Sequence, residues 1–166
     1  MYPILSKTLL APHIYEIVVD APRVARSGQP GQFVIVRTDA KGERIPLTIC
    51  DYDREKGSVT LVIQEIGISS RKICAMEAGD AFADVAGPLG RPSDLLDLPA
   101  EELKKKRILF VAGGVGTAPV YPQVKWLHEQ GVEADVIIGA KNKDMFTYVE
   151  PMRKVGRVHL CTDDGS

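Results

Sequence analysis

The stretch Phe110-Val111-Ala112-Gly113-Gly114-Val115-Gly116-Thr117-Ala118-Pro119 limits most severely what this chain can fold into. An apolar run from Ile108 to Ala112 enters the glycines, and the glycines enter a segment of helical periodicity that reaches about Gln130. Strand, glycine turn and helix start together form a cradle for phosphate. Glycine lets the backbone approach an anion closely, and the free N–H groups of the first helical turn point at it. A tight turn with no ligand is the alternative. The spelling also excludes two familiar sites. Gly114 and Gly116 fit G-x-G-x-x-G, but Pro119 stands in the third place, and the next strand ends in Gly139-Ala140-Lys141, with no acid for a ribose. No Lys-Ser/Thr pair follows the glycines, so this is not a P-loop. Pro119 and Pro122 are tolerable because early helical N–H groups have no intrahelical partner.

The segments after Arg107 alternate. A strand at 107–112 precedes a helix near 118–130, where Val120, Val124 and Leu127 share a face. Glu133 to Gly139 is nearly all apolar, the pattern of a parallel strand buried on both faces. Lys143 to Val155 reads as helix up to the Glu150-Pro151 step, and Arg157 to Cys161 as a third strand. This βαβαβ order is the first half of a parallel α/β nucleotide-binding domain. Three parallel strands with an open edge make an incomplete domain. The 166 residues are therefore expected to be part of a longer protein, and inactive as an enzyme on their own.

Residues 1–98 read differently. Short strands are expected at Ile4–Leu10, His13–Val19, Gln32–Val36, Arg44–Asp51, Val59–Gln64 and Ala81–Ala86, with turns at roughly ten-residue spacing, the signature of a small antiparallel barrel. In the second, Ile14 and Val18 are set against Tyr15, Ile17 and Val19. Pro46 cannot donate to a ladder, so its strand must lie at an edge or leave the sheet there. One helix, Ser69 to Glu77, starts on capping hydroxyls. Gly87-Pro88-Leu89-Gly90-Arg91-Pro92 reads as a rigid loop, and the charged, proline-broken 99–106 as a linker with a solvated or partner-facing charge run.

A formal net charge of −1 gives no reason to expect nucleic acid, and no apolar run approaches the roughly 20 residues of a membrane span. The start shows no charged region followed by an apolar one, so no signal peptide is expected. Cys50, Cys74 and Cys161 are widely spaced, forming neither a disulfide framework nor a metal knuckle, which points to reduced thiols in the cytoplasm. His13, His128 and His159 are isolated, and no metal site is expected from them.

Four motifs in order resemble the ferredoxin–NADP reductase superfamily: Pro30-Gly31-Gln32-Phe33, Arg44-Ile45-Pro46-Leu47-Thr48-Ile49, Gly87-Pro88-Leu89-Gly90 and the glycine loop. Within it, Arg-Ile-Pro-Leu-Thr-Ile and Ala118-Pro119-Val120-Tyr121-Pro122 are most similar to the small subunits of NADH-dependent reduced ferredoxin:NADP oxidoreductases, also called sulfide dehydrogenase subunits. The electron-transfer subunits of dihydroorotate dehydrogenase are near relatives. The resemblance implies an FAD-binding, ferredoxin reductase-like antiparallel β-barrel followed by the first half of an NAD(P)-binding domain. Arg44, Pro46, Leu47 and Thr48 match the flavin motif. Arg44 would take the pyrophosphate, Pro46 and Leu47 would wall the ring, and Thr48 would lie near flavin N5 as the catalytic candidate. Val62, Ile63 and Gln64 match the next flavin-contacting strand, and Ser69 and Ser70 the start of a helix that caps the pyrophosphate. Relatives often carry Gly-Thr at that place. Gly113, Gly114, Gly116 and Thr117 would cradle NAD(H) or NADP(H), and Asp163 would accept from ribose hydroxyls, favouring NAD(H).

The implied activity is hydride transfer between NAD(P)H and FAD, with electrons passing on to an iron–sulfur chain in a complex with a larger flavoprotein or iron–sulfur subunit, and ferredoxin as a further partner. A [2Fe–2S] centre, which needs four closely spaced thiolates, is expected only in residues beyond these. A non-catalytic nucleotide-binding adaptor is the rival from another class.

Overall fold

The computed structural model describes all 166 residues. Seven strands build the first sheet: β1 (Tyr2–Ala11), β2 (Ile14–Asp20), β3 (Phe33–Arg37), β4 (Ile45–Asp53), β5 (Ser58–Gln64), β6 (Ala81–Phe82) and β7 (Asp84–Leu89). They pair antiparallel in the order β6-β1-β2-β5-β4-β3-β7. The two edge strands are neighbours in sequence, separated only by Ala83, so the sheet must curl until its edges meet. The Ala83 N–H donates to the Arg37 carbonyl at 2.9 Å in that seam. The result is a nearly closed antiparallel barrel. Two short helices, α1 (Pro22–Ser27) and α2 (Ile68–Cys74), lie against it.

Alternation fills the barrel. Along β3, Val34 and Val36 point inward and are fully buried, while Phe33, Ile35 and Arg37 face outward. Ile17, Val19, Leu61 and Phe82 complete the same core, each worth roughly 1.5–3 kcal/mol of burial. On β2 the inward set is Ile17 and Val19, while Val18 is half-exposed and Ile14 is buried elsewhere, against the second sheet. The simple alternation expected there fails because β2 serves two interfaces. Helix α1 was not expected. Pro22 occupies its first turn, where a missing N–H costs nothing, and Val24 and Ala25 anchor it.

Pro46 behaves as its chemistry requires. From Ile45 to Thr48, β4 pairs with β3, and from Ile49 onward with β5, so one edge of β4 is free where the proline sits. Gly87 to Leu89, expected as loop, is the end of β7 and pairs with β3 at Phe33.

The second sheet is parallel, in the order β10-β9-β8, made of β8 (Leu109–Gly113), β9 (Asp135–Ala140) and β10 (Arg157–Thr162). Helix α4 (Thr117–Glu129) connects β8 to β9, and α5 (Val149–Arg153) precedes β10. Val124, Leu127 and Met152 from the helices pack on Val136 and Ile138. Burial of β9 on both faces does not occur. Ile137 is half-buried, and on the same face Val111 is 72% exposed, because α4 and α5 cover only the Val136 and Ile138 side. Residues 143–155 hold a single turn (Lys143–Met145) and then α5, whose first turn contains Pro151. The Glu150-Pro151 step thus begins the helix instead of ending one.

The segment between the sheets is more than a solvated linker. It forms one turn at Asp94–Asp97 and helix α3 (Ala100–Leu103). Leu103 is fully buried among the α4 and β9 side chains, while Glu101, Glu102, Lys104 and Lys105 face water. No helix is long and apolar enough to cross a membrane.

Candidate functional site

Period two along β4 sorts the Arg44–Thr48 motif. Ile45, Leu47 and Ile49 turn toward the core, whereas Pro46 and Thr48 are exposed, as is Arg44 just before the strand. Across the ladder, Thr48 pairs with Phe33 and Pro46 with Ile35, which places Phe33 and Ile35 on the same outward face. The motif therefore presents a flat apolar shelf with a guanidinium at one end. Arg44 is held only loosely there, by Asp84 at 3.4 Å, and keeps 60% of its side chain exposed. Arg37 follows Phe33 and Ile35 on this face, and its buried Nε has no hydrogen-bond partner. Sequence reasoning passed over Phe33, Ile35 and Arg37 as shelf residues because only the β3–β4 register brings them beside the motif.

β4 and β5 pair no further than Ile49 with Leu61. Beyond that point β5 continues through Val62, Ile63 and Gln64 beside β2, with Gln64 opposite Ile14. Val62 and Ile63 are buried and Gln64 is half-exposed. Gln64 emerges into a cleft of about 500 Å³ that also contains Gly113, Gly114, Lys141, Met145 and Asp163. Residues from the barrel, the glycine loop and the end of β10 thus converge on one space. Lys141 is the one cation among its lining residues. In sequence Lys141 is only the residue that follows β9, and the fold alone brings it to the cleft.

The glycine loop has the geometry of a cradle. Gly114 takes φ +54°, and a Cβ at Gly114 or Gly116 would meet nothing within 4 Å. The glycines thus border open space that a side chain would fill. Thr117 differs from its neighbours: its side chain is fully buried and its hydroxyl has no partner. It begins α4 from inside, and only its backbone belongs to the loop.

At α2, Ser70 Oγ accepts from the Ile66 and Gly67 N–H groups at 2.9 and 2.8 Å, closing its own turn. Ser69 donates to Glu43. Both hydroxyls are already engaged by the protein, near Lys41 and Lys72, which line a small pocket with Ser69. An exposed arginine beside an apolar shelf, and lysines beside an N-capped turn, are donors of the kind that suit a diphosphate. The chain's cysteines do not fit an iron–sulfur centre. Cys50 and Cys74 are buried in different clusters and Cys161 is exposed at the end of β10.

The two sheets meet at a third cluster, in which Ala11, Ile14, Cys50 and Val62 of the barrel touch Ala118 and Tyr148. Tyr148 donates its hydroxyl to the Glu16 carboxylate. Burial raises the Cys50 thiol far above its ordinary value, although the neighbouring Tyr148 hydroxyl pulls the other way. Burial raises the Tyr148 hydroxyl likewise, with the Cys50 and Glu16 neighbours adding to it. Tyr148 has φ +60°, a left-handed backbone that costs a side-chain-bearing residue roughly 1–2 kcal/mol.

No family model matches the chain. An uncharacterized protein in the adh 3′ region of Clostridium beijerinckii is 54% identical over 167 residues, covering all of this chain and 56% of that protein. A dihydroorotate dehydrogenase B (NAD(+)) electron transfer subunit homolog of Thermotoga maritima is 36% identical, covering 98% of this chain and 55% of its own length. Among solved structures, a chain of the NADH-dependent reduced ferredoxin-NADP oxidoreductase, described in connection with flavin-based electron bifurcation, superposes with a TM-score of 0.88 at 32% identity. The match covers 100% of this chain and 58% of that one. The chain thus spans a little over half the length of these relatives. Barrel and parallel sheet together are the ferredoxin reductase-like fold, and the sequence resemblance to that superfamily holds in three dimensions.

Proposed function

We propose that this ferredoxin reductase-like chain is the flavin- and nicotinamide-binding part of an electron-transfer flavoprotein subunit. One observation carries the reading: Gln64 of the barrel, Gly113 and Gly114 of the loop, and Asp163 just after β10 share a single cleft. A relay between two cofactors needs such a meeting place, because hydride passes only when donor and acceptor are held close and in line. When bound, FAD supplies a hydride acceptor that can release electrons one at a time. The residues do the rest. The Pro46, Phe33 and Ile35 shelf supports a flat ring and excludes water from one side, with Thr48 at the reacting edge and the backbone of Val62 and Ile63 leading to the half-exposed Gln64 side chain. Arg44, joined by Arg37, meets the diphosphate as a charge-assisted donor. The turn of Ser69 and Ser70 meets it from α2.

Gly113, Gly114, Gly116 and the Thr117 backbone admit the dinucleotide closely, and Lys141 offers its phosphates a cation. Asp163 accepts from ribose hydroxyls, and its charge disfavours a 2′-phosphate, so NAD(H) is the preferred nucleotide over NADP(H). No side-chain base is required, since hydride moves without a separate proton.

In the assembled enzyme the electrons would pass to an iron–sulfur chain held with a larger flavoprotein or iron–sulfur subunit, in a ferredoxin:NADP oxidoreductase complex, with ferredoxin as the outer partner. The structural neighbour supports this assignment. The relatives described as dihydroorotate dehydrogenase B electron transfer subunits support a second reading with the same chemistry and a different partner.

The test is direct. Full-length protein should purify yellow, with flavin absorption bleached by NADH. A colourless protein that takes up no FAD would sink the proposal. Full flavin occupancy without reduction by either nucleotide would favour an adaptor. Co-purification with a large flavoprotein subunit, as against a dihydroorotate-oxidising one, separates the first two readings.

A further inference from the structure

We propose that the Thr147-Tyr148 step is a positioning element, a two-way clamp that fixes the glycine loop against the barrel. On the functional reading above, it thereby fixes the nicotinamide against the flavin. The two side chains act in different directions. Thr147 Oγ1 donates to the Gly114 carbonyl at 3.3 Å, and Thr147 is 3% exposed, so water does not compete for that bond. Gly114 is the left-handed residue on which the loop turns. Tyr148 reaches away from the loop into the barrel, where its hydroxyl donates to Glu16 of β2 and lies beside the Cys50 thiol of β4. Its ring leans on Tyr121 of α4, with centroids 5.1 Å apart and planes inclined by 56°.

The barrel anchors are placed where the candidate flavin residues are. Glu16 pairs with Val62 in the β2–β5 register, and Cys50 lies two residues beyond Thr48 on β4. A shift of Tyr148 would therefore move the glycine loop relative to both strands. The backbone is consistent with such a fixed role. Tyr148 holds φ +60° and ψ +17°, a conformation a bulky residue keeps only where its surroundings over-determine it. Here the Thr147 bond on one side and the Glu16 bond on the other supply that constraint. Ordinary interface packing needs only the ring of Tyr148, whereas a clamp needs its hydroxyl.

The experiment compares Tyr148→Phe, Thr147→Val and Thr147→Ser in the full-length subunit. Amide hydrogen exchange without any ligand reads the clamp itself. Tyr148→Phe and Thr147→Val should each speed exchange at residues 114–118 by about tenfold, the factor one lost hydrogen bond implies, while Thr147→Ser keeps the wild-type rate. With FAD bound, the limiting rate of flavin bleaching at saturating NADH should fall by about 10- to 100-fold in Tyr148→Phe, the penalty of a small misplacement. Flavin content and half-saturating NADH should stay within about threefold of wild type, since binding groups are untouched.

Wild-type exchange at the loop in Tyr148→Phe overturns the proposal, as does faster exchange spread evenly over β8, β9 and β10. Faster loop exchange with an unchanged limiting rate overturns its link to the flavin. If wild type is never bleached by NADH, the functional reading fails, and the exchange result alone decides whether the clamp exists.

Discussion

Lys125 on α4 holds Asp51 on β4 at 2.8 Å, so an ion pair joins the helix that follows the glycine loop to the strand that carries the flavin-type motif. Both side chains are about 70% withdrawn from water, with 32% and 28% exposed. Burial alone would lower the Lys125 ammonium, but the hydrogen bond and charge of Asp51 outweigh it and leave it above the ordinary 10.5. A raised folded value means that the stabilisation is complete below about pH 10.5 and is lost as pH rises through the folded value. Lys125→Met should lower stability at neutral pH by about 1 kcal/mol, between the limits for exposed and buried pairs. It should also flatten the alkaline end of the curve. Adding Asp51→Asn should cost less than the sum of the single changes, which melts from pH 8 to 11 would read.

Arg44 contributes little to folding, because its one partner is a partly exposed carboxylate at 3.4 Å. Arg44→Ala should leave the melting temperature of the flavin-free protein within a degree or two of wild type. FAD affinity should drop by about 10- to 100-fold, the worth of a charge-assisted bond. A fluorescence titration with FAD measures it, and an unchanged affinity would remove Arg44 from the site.

Gly116 and Gly114 separate strain from blockage. Gly116 has φ −64° at the start of α4 with open space beyond it. Gly116→Ala should therefore fold as well as wild type while weakening NADH binding. Gly114→Ala adds a Cβ to a left-handed residue and should lose roughly 1–2 kcal/mol of stability before any ligand is added. Thermal melts beside nucleotide titrations distinguish them.

Lys141 and Asp163 line one cleft with opposite charges. Lys141→Gln should weaken NADH and NADPH alike and reduce the salt dependence of both. Asp163→Asn should narrow the preference for NADH by improving NADPH binding. Equal effects of Asp163→Asn on both nucleotides would contradict its assignment to the ribose.

The three thiols should differ in reactivity. At pH 8 a thiol reagent should label one cysteine of the folded chain, Cys161, and all three after unfolding, since Cys50 and Cys74 are buried. Burial, helped by the charge of Glu65, pushes the Cys74 thiol up to about 11 from 9.0. The unfolded thiol ionises first, so Cys74 makes stability fall as pH rises from about 9 to about 11. Cys74→Ala should remove that part of the slope.

Much of the fold can be read from one-dimensional pattern. Val34 and Val36 alternate with Phe33 and Ile35, and Val120, Val124 and Leu127 recur at helical spacing. Gly113 to Gly116 stand between a strand and a helix. Each rests on the local geometry of a strand, helix or turn, which neighbouring residues determine. Pro46 was legible for the same reason: a missing N–H forces β4 to have a free edge wherever the chain runs.

Other features depended on partners distant in sequence. Whether Ile14 joins the barrel core or the inter-sheet cluster depends on Ala118 and Tyr148, more than a hundred residues away. Val111 is exposed although it stands in an apolar run, because burial depends on which face α4 and α5 cover. The shelf of Pro46, Thr48, Phe33 and Ile35 exists only through the β3–β4 register. The Thr147-Tyr148 step looks in sequence like the middle of a helix. Its left-handed residue, Tyr148, and its bonds to Gly114 and Glu16 involve partners far away in sequence that no local preference encodes. Local pattern settles the kinds of elements, their order and the glycine turn between β8 and α4. What stands opposite that loop depends on the tertiary fold: Gln64, Gly114 and Asp163 line one cleft, and Tyr148 meets Glu16 and Cys50, only when the second sheet docks on the barrel.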